Sequence, residues 1–282
     1  MCTVIAMINL KGGVTKTTTT IAVGEMLSAE FGKKVLVIDL DPQTNATVML
    51  IGEDKWKELN DNERTLARLF KDALVEPEDR KFDLDNTLQR RVSNVAEVRG
   101  LSLLPSSLDL IDVQDRLASM PSGKFYAANP VDILKKATRS IIDEYDFVLI
   151  DCPPNLGIIT LNGLRMAHGY IIPTIPDILS TYGIPQIVKR VKDFAKEIGE
   201  SLEPYGIIIS KYRSQLRLHT NTLRRLRNNG DAPVFDTVIP ESGHIAEAAE
   251  FTKLNTLRQK YGYQGQFDTY KALTREILKA VA

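Results

Sequence analysis

The chain has 282 residues, 43% of them hydrophobic, enough to bury a large core in one α/β domain over residues 1–282. Its 36 basic residues balance 36 acidic ones, so bulk charge speaks neither for nor against a nucleic-acid partner and only local clusters can decide. Two cysteines, Cys2 and Cys152, exclude a disulfide framework and read as reduced, buried thiols; no His/Cys cluster suggests a metal cage, and no apolar run approaches the ~20 residues of a membrane span.

Strand and helix signals alternate along the whole chain, which predicts an α/β fold: a mostly parallel twisted sheet covered by helices on both faces. The first strand is expected at 4–10, with no signal peptide ahead of it. Lys11-Gly12-Gly13-Val14-Thr15-Lys16-Thr17-Thr18 follows and opens a helix at 17–31 that stops at Gly32, a suitable C-cap. This strand–loop–helix reads as a phosphate-binding loop. Gly12 and Gly13 let the backbone turn its N–H groups inward, and the helix start adds the positive end of its dipole. Lys16 is placed to reach β- and γ-phosphates, and the Thr17 hydroxyl to ligate Mg²⁺. The strict pattern G-x-x-x-x-G-K-[ST] fails, because Leu10 and Thr15 stand where its glycines belong. What remains is K-G-G-x-x-K-[ST], with a second lysine, Lys11, at its head.

A buried strand at 35–40 ends in Asp39 and Asp41, which alternate and so share one face at the carboxyl edge, where open α/β sheets bind ligands. Residues 52–99 are charged and irregular apart from a helix at 63–74, and read as a surface excursion of the same domain. A strand at 101–104 precedes a helix at 131–144, started by Asn129-Pro130. The strand at 147–151 closes on Asp151 and leaves through Cys152-Pro153-Pro154. Further strands are expected at 170–174, 206–210 and 234–239.

Two helical stripes are basic. Over 183–198, Ile184, Ile187, Val191 and Phe194 face inward and Lys189, Lys192 and Lys196 outward. No acidic residue lies between Glu203 and Asp231, whereas Lys211, Arg213, Arg217, Arg224, Arg225 and Arg227 do. Here Leu216, His219, Leu223 and Leu226 form one helix face, and Arg217, Asn221, Arg224 and Asn228 the other. Lys189, Lys192, Lys211, Arg213, Arg217, Arg224 and Arg225 are the candidate contacts to a DNA backbone, against the simpler reading of solvated helix faces. The last helix, 269–282, carries Tyr270, Leu273, Ile277 and Val281 on a modest apolar face without Phe or Trp, better suited to docking on the domain than to a bilayer.

The double-lysine loop resembles the deviant Walker A box of the ParA/MinD family of P-loop ATPases. The resemblance implies ATP and Mg²⁺ as cofactors, with Lys11 acting in trans across an ATP-sandwiched homodimer and Lys16 in cis. It places Asp41 where the attacking water is oriented and Asp39 close to the Mg²⁺ hydration shell. Asp151 then stands in the Walker B position, holding Mg²⁺ through water. Ile239-Pro240-Glu241-Ser242, through Pro240 and Glu241, matches the loop that packs on adenine; the guanine-reading motif N-K-x-D is absent. Thr15 departs from the commonest pattern, and its Cβ is expected to strain the loop. The implied function is that of a short ParA-type partition ATPase without a helix-turn-helix extension. Its cycle comprises nonspecific binding of double-stranded DNA, stimulation of slow ATP hydrolysis by a ParB-like adaptor, and segregation or positioning of a plasmid, a chromosome origin or a microcompartment such as a carboxysome. Such a protein is cytoplasmic and nucleoid-associated when ATP-bound, with no membrane partner expected. The alternative is a MinD-like membrane-associated switch. A metal-cluster enzyme akin to the nitrogenase iron protein would need clustered cysteines, and Cys152 has no companion.

Overall fold

The computed structural model describes residues 2–119 and 129–282. Eight strands form one sheet: β1 (Thr3–Met7), β2 (Val35–Asp39), β3 (Gln89–Arg90), β4 (Leu101–Leu104), β5 (Phe147–Asp151), β6 (Gly169–Thr174), β7 (Glu203–Tyr212) and β8 (Val234–Pro240). They run in the order β3-β4-β2-β5-β1-β6-β7-β8, and every pairing is parallel except β3 with β4. The near-continuous apolar runs of β2 and β5 are what a central parallel strand requires, since both of its faces are covered.

Alternation along the strands sorts the core into two layers. Val4, Ala6, Leu36 and Ile38 point to the side packed with Leu66, Leu110, Ile159, Ile187 and Leu223 from five helices: Leu66–Asp72, Leu110–Ala118, Ile158–Met166, Ile184–Glu197 and Arg217–Asn229. Ile5, Met7, Val35 and Val37 point to the opposite side. There they meet Met26 of helix Lys16–Phe31, Met49 of Asn45–Ile51, and Tyr270, Leu273 and Ile277 of the C-terminal helix Gln266–Ala280. A Cβ on Gly24 would lie 3.3 Å from Leu101, so this glycine is what lets helix Lys16–Phe31 press so closely on the sheet.

Several local expectations need correction. The first strand stops at Met7, because the chain must leave the sheet to form the loop. The region 52–99 is not merely an excursion: it holds helices Glu53–Asp61, Leu66–Asp72 and Leu84–Thr87 and supplies the antiparallel edge strand β3. The expected helix at 131–144 is broken into Pro130–Asp132, Ile133–Thr138 and Ile142–Glu144, with only the middle piece α-helical. β7 runs past both ends of its expected span, from Glu203 to Tyr212. Leu216 caps its helix and is 40% exposed instead of facing inward. The C-terminal helix docks as expected, with Tyr270, Leu273 and Ile277 fully buried. Among the described residues no helix is long and apolar enough to cross a membrane.

Candidate nucleotide site

Parallel pairing gathers the carboxyl ends of β1, β2 and β5 at one edge, with Asp39 and Asp151 side by side in register. β1 delivers the Lys11–Thr18 loop to the same edge. Gly13 has φ of +75°, and Thr15, at the N-cap of helix Lys16–Phe31, has φ of +66°. A β-branched residue seldom adopts this left-handed conformation, so the Cβ strain expected of Thr15 is present in its backbone. The helix N-terminus has no side-chain cap and no acidic residue in its first turn. Its unpaired N–H groups are therefore presented to an incoming anion.

Lys16 is buried, and its ammonium donates to the Lys11 carbonyl at 3.3 Å. Burial pulls its pKa below the usual range, while Asp151 and Asp41 work against that pull. The Thr17 hydroxyl donates to one Asp151 oxygen at 2.7 Å and the Thr20 hydroxyl to the other at 3.1 Å. Complete burial pushes the Asp151 carboxyl up to about 6 despite these donors. Asp39 is more constrained: one oxygen accepts the Asp41 N–H at 3.1 Å, and the other accepts the Thr47 N–H at 2.9 Å and hydroxyl at 2.7 Å. Burial first, and Asp151 second, raise its pKa well above the ordinary carboxylate value. Asp39 thus ties the end of β2 to helix Asn45–Ile51.

Asp41 is nearly buried, its pKa raised mainly by burial, and one oxygen accepts the Gln43 N–H at 3.0 Å. Its backbone carbonyl receives the Ser106 hydroxyl at 2.7 Å and the Thr44 N–H at 2.9 Å, which fixes the turn that carries it. Thr44 is a second threonine in the left-handed region, at φ of +59°. Among the described residues no three His, Cys, Asp or Glu side chains converge as a metal cage. The hard oxygens of Thr17 and Asp151 suit Mg²⁺ that completes its shell with phosphate oxygens and water, the way this ion is ordinarily bound.

Lys11 is not embedded in the loop. Its ammonium pairs with Asp177, just beyond β6, at 3.3 Å, and its side chain is 40% exposed. Its backbone N–H donates to Asn9 Oδ1 at 3.0 Å, while the Asn9 amide donates to the Pro173 carbonyl at 2.8 Å. Ser210, at the end of β7, lies within hydrogen-bond reach of the Val14 and Thr174 carbonyls and braces the loop from behind. Pro240 ends β8 opposite Tyr212, and the Glu241 N–H donates to the Tyr212 carbonyl at 3.1 Å. The Glu241 carboxylate is engaged by Arg213, so a residue from each candidate surface meets here.

The remaining basic candidates lie on exposed faces as patterned. Lys189 and Lys192 project from helix Ile184–Glu197, and Arg217, Arg224 and Arg225 from Arg217–Asn229, with Lys211 in the preceding strand. Arg225 also donates to the Thr181 hydroxyl at 3.4 Å. Asn9, Thr20, Thr47, Ser106, Asp177 and Ser210 escape the sequence reading. Thr20 follows Thr17 at helical spacing and was findable on that ground. Asp177, like Asp41, stands just past the carboxyl end of a strand, and the same rule applied to β6 finds it.

The chain is similar to known proteins over nearly all its length. Residues 2–204 match the family described as an AAA domain. The chromosome-partitioning ATPase Soj of Thermus thermophilus is 31% identical, over 98% of this chain and 96% of its own. Cobyrinic acid a,c-diamide synthase from Mycobacterium smegmatis, solved with a bound ATP analog and magnesium, is 28% identical with a TM-score of 0.75, covering 99% of this chain and 95% of its own. Cyanothece apo McdA shares the fold at a TM-score of 0.74 and 23% identity, with all of both chains covered. On the double-lysine loop, the sheet order and these similarities, the chain belongs to the ParA/MinD family of P-loop ATPases.

Proposed function

We propose that this protein is a ParA-like ATPase whose ATP-bound, sandwiched homodimer binds double-stranded DNA without reading its sequence. A ParB-like adaptor stimulates slow hydrolysis to ADP and phosphate and so segregates or positions a cargo: a plasmid, a chromosome origin or a protein microcompartment. The observation that carries the reading is the division between the two lysines. Lys16 is buried among the carboxylates of its own site, whereas Lys11 stands at the rim, paired with Asp177 and half-exposed. A rim lysine is placed to serve a phosphate presented by a second copy.

In the reaction, loop N–H groups and Lys16 hold the β- and γ-phosphates, so that charge developing on the transferred phosphoryl meets donors already in place. Asp41 has one oxygen fixed by Gln43, and its other accepts no hydrogen bond among the described residues. It is positioned to orient water and to receive its proton, for which a raised pKa is helpful. Mg²⁺, when bound with ATP, would be held by Thr17 and, through water, Asp151, and would neutralise phosphate charge. Asp39 sets the position of Asp41 by accepting its N–H. The covered C-terminal helix favours this reading over a MinD-like membrane switch.

Size-exclusion chromatography and duplex-DNA binding, run in parallel with ATP, ADP or no nucleotide, test it. Wild type should dimerise and bind DNA only with ATP. Asp41→Ala should persist in that state, Lys11→Ala should lose the dimer, and Lys16→Ala should lose nucleotide. DNA affinity indifferent to ATP would refute the scheme.

A further inference from the structure

Four residues beside the end of β2 are joined in a closed circuit of hydrogen bonds. The Asp41 N–H donates to one Asp39 oxygen at 3.1 Å and the Thr47 hydroxyl to the other at 2.7 Å. The same Thr47 oxygen accepts the Ser106 N–H at 3.0 Å, and the Ser106 hydroxyl returns to the Asp41 carbonyl at 2.7 Å. Asp39, Thr47 and Ser106 are fully buried, so water does not compete for these bonds. The Thr44 N–H alone would satisfy the Asp41 carbonyl. Ser106 adds a second anchor from outside the turn, just past β4, the neighbour of β2 in the sheet. That anchor is itself held from three sides. The Pro105 carbonyl accepts the Leu66 N–H at 2.9 Å, the Ser106 carbonyl accepts the Trp56 indole N–H at 3.3 Å, and the Ser107 hydroxyl donates to Asn60 at 2.7 Å. Helices Glu53–Asp61 and Leu66–Asp72 thus brace the segment from which Ser106 reaches the site.

The circuit fixes the backbone on both sides of the Asp41 side chain, tying its N–H to Asp39 and its carbonyl to Ser106. With one carboxylate oxygen also held by the Gln43 N–H at 3.0 Å, the direction of the second oxygen is set. Resting on the reading of Asp41 as the residue that orients the attacking water, we propose that Thr47 and Ser106 are positioning residues for ATP hydrolysis, which keep that second oxygen on the line of attack. Misplacement of such a group by about 1 Å can cost on the order of a hundredfold in rate. The phosphate-binding loop, by contrast, is built between β1 and helix Lys16–Phe31, outside the circuit. Opening the circuit should therefore appear in kcat and not in nucleotide affinity.

Steady-state phosphate release at saturating ATP and Mg²⁺, with affinity for a fluorescent ATP analogue measured beside it, tests this in Ser106→Ala, Thr47→Val and Thr47→Ser. Ser106→Ala leaves the Asp41 carbonyl its Thr44 partner, so the chain should fold. Its kcat should fall roughly tenfold, with analogue affinity within about twofold of wild type. Thr47→Val, isosteric but without the hydroxyl, should fall as far, and Thr47→Ser should recover about half of wild-type kcat or more. Both substitutions open the same circuit, so Thr47→Val/Ser106→Ala should be within about twofold of the slower single variant; a loss of about a hundredfold, the product of two independent effects, would overturn the proposal. A serine that only stabilised the fold would lower the melting temperature and leave kcat unchanged, which would overturn it too. So would a loss of kcat matched by lost analogue affinity and a shifted emission of Trp56, the chain's one tryptophan, because the fold around the segment would then have collapsed. If wild type releases no phosphate, or Asp41→Ala releases it as fast, the reading beneath fails. If Asp41→Ala is slow while Ser106→Ala and Thr47→Val keep wild-type kcat, this inference alone fails.

Discussion

Replacing Asp151 by Asn should stabilise the nucleotide-free protein while spoiling its site. Burial raises the Asp151 carboxyl from 3.8 to about 6, which corresponds to roughly 3 kcal/mol for carrying the charge in the folded chain at neutral pH. The folded state holds this proton more tightly than the unfolded state does. Stability from this group is therefore fully present below the unfolded pKa of 3.8 and is lost as pH rises through about 6. Asn keeps the shape: of the Thr17 and Thr20 hydroxyls, each of which now donates to a different oxygen, one can go on donating to the amide oxygen while the other rotates to accept from the amide –NH₂. Removing the charge also relieves Asp39, whose neighbour in register is Asp151. At pH 7.5 without ligand, Asp151→Asn should gain up to about 3 kcal/mol, or roughly 6 °C in melting temperature for a chain of this size. At pH 4 the advantage should shrink to nearly nothing, and with ATP and Mg²⁺ wild type should gain more than the variant. Thermal melts at the two pH values, with and without nucleotide, read all of this. A variant destabilised equally at both pH values would refute the reasoning, because a loss that does not change with pH cannot come from the carboxylate charge.

Thr15→Gly should remove a left-handed β-branched residue, a conformation worth about 1–2 kcal/mol of strain, at an entropy cost of about 0.5–1 kcal/mol. Urea melts should show a gain of roughly 0.5–1 kcal/mol; an equal gain in Thr15→Ala, which keeps the Cβ, would disprove the assignment to strain. Lys260 is buried and donates to Glu25 and Asn94, each at 2.8 Å, while Tyr261 donates to the other Glu25 oxygen at 2.6 Å. Lys260→Ala strands the Glu25 charge and should cost roughly 3–5 kcal/mol, whereas Glu25→Gln/Lys260→Met should cost far less. Equal losses in the two variants, measured by chemical denaturation, would show that packing and not charge dominates. If four to six phosphates are neutralised per protomer, log K for DNA should fall against log salt with a slope of roughly −4 to −5. Arg217→Glu/Arg224→Glu should flatten that slope and leave ATP binding intact. An unchanged slope would remove these two arginines from the interface.

The sequence was most legible where one physical cause acts alone. Apolar runs at β2, β4 and β5 mark central strands within a residue of their observed ends, because nothing but burial on two faces sets them. Gly12, Gly13, Lys16 and Thr17 are recognisable because a glycine turn, a lysine and a hydroxyl fall together between one strand and one helix. Legibility failed where tertiary contacts override local preference. β3 spans only Gln89–Arg90 and exists by pairing with β4, and no pattern in 52–99 announces it. The expected helix at 131–144 is interrupted, and a period of 3.6 in the sequence cannot reveal such a break. Asp177 was invisible as the partner of Lys11 because the two lie 166 positions apart and meet only once β6 is laid beside β1.

The candidate site concentrates features that are individually unfavourable: buried Asp39, Asp41 and Asp151, a buried lysine, and threonines 15 and 44 in the left-handed region. They persist because the surrounding structure over-determines them. Helix Lys16–Phe31 is pressed onto the sheet at Gly24 and pinned one residue later through Glu25 to Lys260, Tyr261 and Ser93. Asp39 is held by Thr47 at the start of the neighbouring helix. With the elements immobilised away from the edge, the loop cannot relax by shifting them, so unfavourable charge and strain stay local to the ligand. A phosphate beside Lys16 and a cation beside Asp151 each remove one of those terms. Binding is thereby favoured by what it relieves as well as by what it contacts. In the proposed cycle, loss of γ-phosphate returns part of that cost to the same loop, whose rim carries Lys11 and its Asp177 partner, and so couples hydrolysis to the proposed contact between copies.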